Sequence, residues 1–187
     1  MQLRLAAYLQ NDSIVDGEGI RTVIWTQGCP HNCPSCHNPG THDFNGGFLE
    51  DVEDIKEDIA SLVGQDGITF SGGDPMCQAE ACADIAAYAH SLGYNVWCYT
   101  GYTYETLIAL SKTKKEILDF LNNIDVLVDG RFILAEKSYD AIFRGSKNQR
   151  IIDVKKSLDV GEVILVKKYE EKNDNEFKFK HEEYLYV

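Results

Sequence analysis

The chain reads as an α/β protein built on a parallel sheet. Three observations predict this. Strand-like and helix-like segments alternate from about residue 20 to residue 128, glycines follow the strand-like runs, and 187 residues suit one compact core. A closed barrel of eight strand–helix units takes roughly 250 residues, so a complete barrel is not expected. One domain spans residues 1–187, with 151–187 as a β-rich terminal extension of it.

Ile20 to Gln27, rich in β-branched and aromatic side chains, predicts the first strand, and Gly28-Cys29-Pro30 ends it. From Phe48 to Val63 the apolar residues Val52, Ile55, Ile59, Leu62 and Val63 recur at helical spacing. The acids between Glu50 and Asp58 fit a solvated helix start that favours the macrodipole. Gly67 to Ser71 predicts a buried strand. Gly72-Gly73-Asp74-Pro75 then turns into a helix reaching about Leu92, with Asp74 as N-cap and Pro75 as first helical residue. Asn95 to Tyr99 is a third strand, Tyr104 to Leu121 is helical with a break near Lys112, and Asp125 to Val128 is a fourth strand. Right-handed crossovers gather the loops after these strands at one end of the sheet, where α/β proteins place their sites. The β-type runs Glu162 to Val166 and Glu176 to Val187, separated by the polar stretch from Lys168, predict a C-terminal β hairpin.

The formal net charge is −12, from 30 acids against 18 Lys and Arg. That balance disfavours nucleic acid or an anionic membrane as partner, because phosphate binding needs a basic surface. Met1 to Gln10 lacks the apolar run of a secretion signal and no stretch reaches a membrane span, so the expected location is the cytoplasm. There thiols stay reduced, and clustered cysteines bind metal or do chemistry.

Cys29-Pro-His-Asn-Cys33-Pro-Ser-Cys36 crowds three of the six cysteines into one loop. Three thiolates at this spacing can hold three irons of a [4Fe–4S] cluster and leave the fourth iron open. A tetrahedral zinc site completed by His31, His37 or His42 is the competing reading, and would make the chain a zinc-stabilised interaction module. Cys77 and Cys82, on one predicted helix, and Cys98, in a strand, read as buried small hydrophobes. Gly17-Glu18-Gly19 lacks the third glycine of a dinucleotide loop and precedes a strand, so that reading is rejected.

The triplet resembles the signature of radical S-adenosylmethionine (SAM) enzymes. Asp16-Gly17-Glu18-Gly19-Ile20-Arg21, Gln27-Gly28-Cys29 and Cys36-His37-Asn38-Pro39 are similar to the opening of the glycyl-radical-enzyme activases. Asp129-Gly130-Arg131-Phe132 and Arg144-Gly145-Ser146-Lys147-Asn148-Gln149-Arg150 resemble segments of the subgroup that serves anaerobic ribonucleoside-triphosphate reductase. The resemblance runs from about Asp16 to Asp153. It implies an incomplete (open) β/α barrel of the radical SAM type, a [4Fe–4S] cluster on Cys29, Cys33 and Cys36, and SAM as cosubstrate. It also implies the reductase large subunit as partner, a glycine of which receives the radical, and a one-electron donor such as flavodoxin. Activation of another glycyl-radical enzyme, or action on a metabolite, belongs to the same wider class.

The resemblance also implies that the Gly72-Gly73-Asp74 turn meets the methionine part of SAM. A Cβ at either glycine would then intrude on the ligand, on a loop separate from the thiolates. Thr100 and Arg131, at strand ends, can reach a ligand's hydroxyls or carboxylate. Many radical SAM enzymes carry an aromatic residue before the third cysteine, where this chain has Ser35, so His37 is the nearest side chain for the adenine. Arg144, Lys147 and Arg150 form a basic cluster suited to a carboxylate or to the protein partner.

Overall fold

The computed structural model describes residues 1–170. Eight strands form one mixed sheet: β1 (Gln2–Leu5), β2 (Gln10–Ser13), β3 (Arg21–Thr26), β4 (Phe48–Asp51), β5 (Gly67–Gly72), β6 (Asn95–Tyr99), β7 (Val126–Asp129) and β8 (Arg150–Asp153). The order is β4-β1-β3-β5-β6-β7-β8, with β2 also paired to β3. The four central strands β3, β5, β6 and β7 are parallel, whereas β1, β2, β4 and β8 pair antiparallel. Five helices accompany them: α1 (Val52–Ala60), α2 (Ala79–Ser91), α3 (Tyr104–Ser111), α4 (Lys115–Leu121) and α5 (Val154–Val160).

Alternation along the strands decides which face meets the helices. Ile24, Ile68, Phe70, Val96, Cys98, Leu127 and Ile152 point one way and pack with Ile55, Ile59, Ile85, Leu107 and Phe120 of α1 to α4. Their neighbours Trp97, Val128 and Ile151 point the other way, into a smaller cluster with Tyr99, Phe143, Val166 and Tyr169. Arg21 is buried against the same side. It donates to Thr69 Oγ1 (2.6 Å) and to the carbonyls of Glu18, Ile68 and Asn95, with its guanidinium over the Trp97 ring. Burial without a carboxylate partner lowers its pKa to about 10, so it stays charged at neutral pH.

Several expectations change. Phe48 to Asp51 is a strand on β1, and the helix starts only where the Asp51 side chain accepts from Glu53 N. The helix after Asp74 begins as a tight 3₁₀ turn, Pro75–Gln78, before α2, so Cys77 and Cys82 do not share one α-helix. Cys82 and Cys98 are buried as expected, but Cys77 is exposed on that turn. The segment after Arg150 opens as β8, which joins the main sheet because Ile151 and Ile152 fill both its faces. It continues as α5, capped by Asp153 and stopped by left-handed Gly161. Of the expected C-terminal hairpin, the first run gives only the single bridge Leu165–Ile152, and the second lies outside the described residues. Among the described residues no helix is long and apolar enough to cross a membrane.

Candidate functional site

The loops after β3, β5, β6 and β7 meet, as the crossover rule requires, around a cavity of about 400 Å³. Cys29, Cys33 and Cys36 all line it, with His37 and His42 from the same loop. So do Gly72, Gly73, Thr100, Gly101, Gly130 and Arg131 at the strand ends.

The cysteine loop is shaped by its backbone. Asn32 and Ser35, the residues before Cys33 and Cys36, both adopt left-handed conformations (φ 46° and 58°). Such positions cost non-glycine residues energy unless the surroundings hold them, and the residue after each, Cys33 and Cys36, lines the cavity. Cys36 N donates to the Cys33 carbonyl (3.1 Å) and Asn38 N to Cys36 Sγ (3.4 Å). Burial, reinforced by the Asp74 carboxylate and the other two thiols, pushes the Cys29 thiol up. A metal binding there must displace its proton.

Asp74 anchors the site from behind. It is fully buried and does not line the cavity. Its carboxylate accepts from Met76 N (3.1 Å), Gly101 N (3.0 Å), Thr100 Oγ1 (2.9 Å) and His31 Nε2 (2.7 Å). A carboxylate so engaged only accepts, so the His31 Nε2 atom carries hydrogen. His31 therefore works as a strut for the cysteine loop, wedged edge-on to Tyr102. Gly101 is glycine because a Cβ there would lie 2.3 Å from the His31 ring. The Thr100 hydroxyl serves Asp74, not the cavity, although the residue lines it.

The two glycines at the end of β5 have a different geometric reason from the one expected. Gly72 has φ +98°, and a Cβ on it would lie 2.6 Å from the Thr26 carbonyl oxygen. A Cβ on Gly73 would lie 2.4 Å from the Gly28 carbonyl oxygen. The side of this turn that a Cβ would fill is packed on the end of β3 and the start of the cysteine loop, and Asp74 N donates to that same Gly28 carbonyl (2.9 Å). The two loops are not independent.

Of the remaining candidates, His37 lines the cavity with its ring tilted at 47° to that of Phe132, centroids 4.9 Å apart, and Phe132 lines it too. Ser35 shapes the loop but does not face the cavity. The basic cluster comes apart. Arg150 is clamped by Asp129 and Glu105, Lys147 is exposed, and Arg144 alone lines the cavity. Its Nη atoms donate to the Gln149 and Tyr169 carbonyls. Sequence reasoning missed Tyr99, Trp25 and Phe143 as cavity residues. Alternation from Trp97 could have placed Tyr99 there, but nothing local marks Phe143.

Three buried polar atoms on cavity residues have no hydrogen-bond partner among the described residues: His31 Nδ1, Tyr99 Oη and Arg144 Nε. Leaving such atoms unpaired costs about 1–3 kcal/mol each, which a polar ligand would relieve. Three thiols and unsatisfied polar groups on one cavity fit an iron–sulfur cluster with a polar cosubstrate beside it.

Residues 15–152 match the 4Fe-4S single cluster domain family. The anaerobic ribonucleoside-triphosphate reductase-activating protein of Salmonella typhi is 37% identical over 145 residues, 73% of this chain and 90% of that protein. Its counterpart from Escherichia coli (strain K12) is 34% identical over the same shares, and that of Enterobacteria phage T4 is 31% identical over 73% of this chain and 86% of that protein. Among solved structures, QueE from Escherichia coli is similar at a TM-score of 0.46 and 16% identity, over 55% of this chain and 54% of that one.

Proposed function

The chain belongs to the family of anaerobic ribonucleoside-triphosphate reductase-activating proteins, and from that premise we propose what each part of its cavity does. It is a radical SAM enzyme with a [4Fe–4S] cluster, and it activates the reductase. When bound, the cluster and SAM supply the hard chemistry, reductive cleavage to methionine and a 5′-deoxyadenosyl radical that takes a Cα hydrogen from a glycine of the reductase.

Cys29, Cys33 and Cys36 give up their thiol protons to hold the cluster. The presence of all three on one cavity is the observation that carries this reading. The Asp74 carboxylate, through His31, Thr100 and Gly101, holds the cluster loop against the ends of β5 and β6. The backbone of Gly72 and Gly73 meets the methionine end of SAM, and His37 with Phe132 receives the adenine. Trp25, Phe132 and Phe143 narrow the cavity and keep water from the radical. The four parallel strands with their helices on one face are read as an incomplete barrel open to the partner. The electron comes from a small donor of the flavodoxin type, and the setting is the cytoplasm.

The test is spectroscopic. Under strict anaerobiosis, with SAM, a strong one-electron reductant and the reductase from the same organism, the reductase should acquire a glycyl radical. Its doublet electron paramagnetic resonance signal should collapse to a singlet when glycine is deuterated at Cα. The Cys33→Ala protein should bind far less iron and give no signal. SAM cleavage without any radical on the reductase would return the chain to the wider radical SAM class.

A further inference from the structure

The segment between β7 and β8, residues 130–149, has no role yet beyond the few side chains that line the cavity. It is longer than a connection between adjacent antiparallel strands needs, which is commonly about 2–5 residues. It is also a built object. Lys137 and Ser146 form a bridge, Lys147 N donates to the Glu136 carbonyl (2.9 Å), and Ile133 N donates to Ser146 Oγ (3.1 Å). Gln149 braces the base, accepting from Gly145 N (2.8 Å) and donating to the Gly130 carbonyl (3.0 Å). Phe143 takes a left-handed conformation (φ 57°) that sets its ring against Trp97 and Tyr169, at 5.3 and 5.5 Å.

This flap has two unlike sides. Its inner residues Phe132, Phe143, Arg144 and Gly145 wall the cavity. Its outer residues Ile133, Leu134, Tyr139 and Ile142 are exposed, Tyr139 at 91% and Ile142 at 58%. Val15, 71% exposed, lines the same cavity from the turn before β3, with Ile14 beside it. Apolar side chains left in water on both sides of one opening form the kind of surface that proteins bury on association. The charge also departs from the rest of the chain. Residues 131–149 carry four basic and two acidic side chains, in a protein of net charge −12.

We propose that this flap and the Ile14–Val15 turn form the docking platform for the reductase, gripping it around the glycine loop that enters the cavity. The proposal rests on the activase reading above. The reacting atom of that reaction is a backbone carbon of a folded protein, and it must pass this rim to reach the thiol-lined cavity. A partner that delivers it buries the rim in doing so. Tyr139 is the expected anchor, since a large exposed aromatic ring contributes most to an interface when it is covered. The excess of base on the flap favours a reductase surface with excess acid around the glycine loop.

The test uses the cluster-loaded, SAM-bound protein and the reductase large subunit, with affinity measured anaerobically. The Tyr139→Glu/Ile142→Glu double variant should bind the reductase at least tenfold more weakly. Its iron content and its dithionite-driven cleavage of SAM without partner should match wild type, because neither side chain touches the cavity. Val63→Glu, at an apolar residue 89% exposed beyond the far end of α1, should bind like wild type. Leu134→Ser provides a second probe on the platform, with several-fold weakening, should the double variant lose iron. Wild-type affinity in iron-replete platform variants overturns the proposal. So does a double variant that only changes the self-association of the chain, which would assign the rim to a second copy. A wild-type chain that fails to bind the reductase at all overturns the activase reading itself, and this one with it.

Discussion

Gly73 shows how a single residue couples two loops that look separate along the sequence. Its amide donates to the Thr26 carbonyl (2.7 Å), and a Cβ in its place would press on the carbonyl of Gly28, the residue before Cys29. Gly28 sits at φ +98°, a conformation that other residues rarely adopt, so it has little freedom to yield. The Gly73→Val protein should therefore fail at both tasks. Anaerobic reconstitution should leave it with less than about half the normal iron, and SAM binding should fall with it, because strain at such a site is on the order of the 1–3 kcal/mol that holds the loop in shape. Iron and sulfide assays beside a near-ultraviolet circular dichroism spectrum check this. Normal iron with lost SAM binding would show that the two loops are independent after all. The three thiols and the glycine turn were legible in the sequence because their spacing is local. Asp74 was legible as the cap of the turn at Pro75, where it accepts from Met76 N. It was not legible as an anchor, because its partners His31, Thr100 and Gly101 come from other loops and only the folded sheet brings them together.

At the scale of elements, the parallel strands and the helices between them were readable from apolar periodicity, since each buries a regular stripe. The edges were not. β1, β2, β4 and β8 are four residues each, and β2 reads Gln-Asn-Asp-Ser, a sequence with no intrinsic strand preference. Pairing to a formed neighbour makes these strands, a tertiary effect that no local window contains. β8 is fixed by Arg150, which donates to both carboxylate oxygens of buried Asp129 and bridges to Glu105 on α3. Arg150→Gln should cost about 2–4 kcal/mol in urea unfolding at pH 7, because it leaves the Asp129 charge buried without its cation. The pH dependence has a definite sign. Arg150 holds the Glu105 carboxyl down to about 2, below its ordinary 4.5. A depressed carboxyl stabilises the fold above its unfolded value and loses that contribution as the pH drops toward the folded one. The stability gap between wild type and Arg150→Gln should thus be constant above pH 4.5 and narrow as the pH falls from there toward 2. Much of the Glu105 side chain is in water, so the narrowing is a modest part of the gap. A gap that widens on acidification would show that Glu105 is not part of the clamp.

At the scale of the whole molecule, the described residues wall the two faces of the sheet unequally. Among the described residues, one face of the sheet is packed against α1 to α5, while the other meets the turn before β3, the flap after β7 and the segment leading to Tyr169. Cys29, Cys33 and Cys36 are all partly exposed. A cavity of this kind leaves a bound cluster open to oxidants until other molecules fill it, since exposure governs how readily such sites react. Two occupants are available in sequence. On the proposed reading, SAM would occupy the cavity beside the thiols and the reductase would then cover the rim. The lifetime of the cluster in air should therefore rise in steps, shortest for the protein with cluster alone, longer with saturating SAM, and longest with SAM and reductase together. Decay of the absorbance near 400 nm after exposure to air measures it. The platform variant Tyr139→Glu/Ile142→Glu separates the two steps. It should keep the protection given by SAM, because the cavity is unchanged, and lose the additional protection given by the reductase at concentrations that shield wild type. Equal lifetimes under all three conditions would mean that the cluster is enclosed by the chain alone. A protein partner would then have no opening through which to present its glycine.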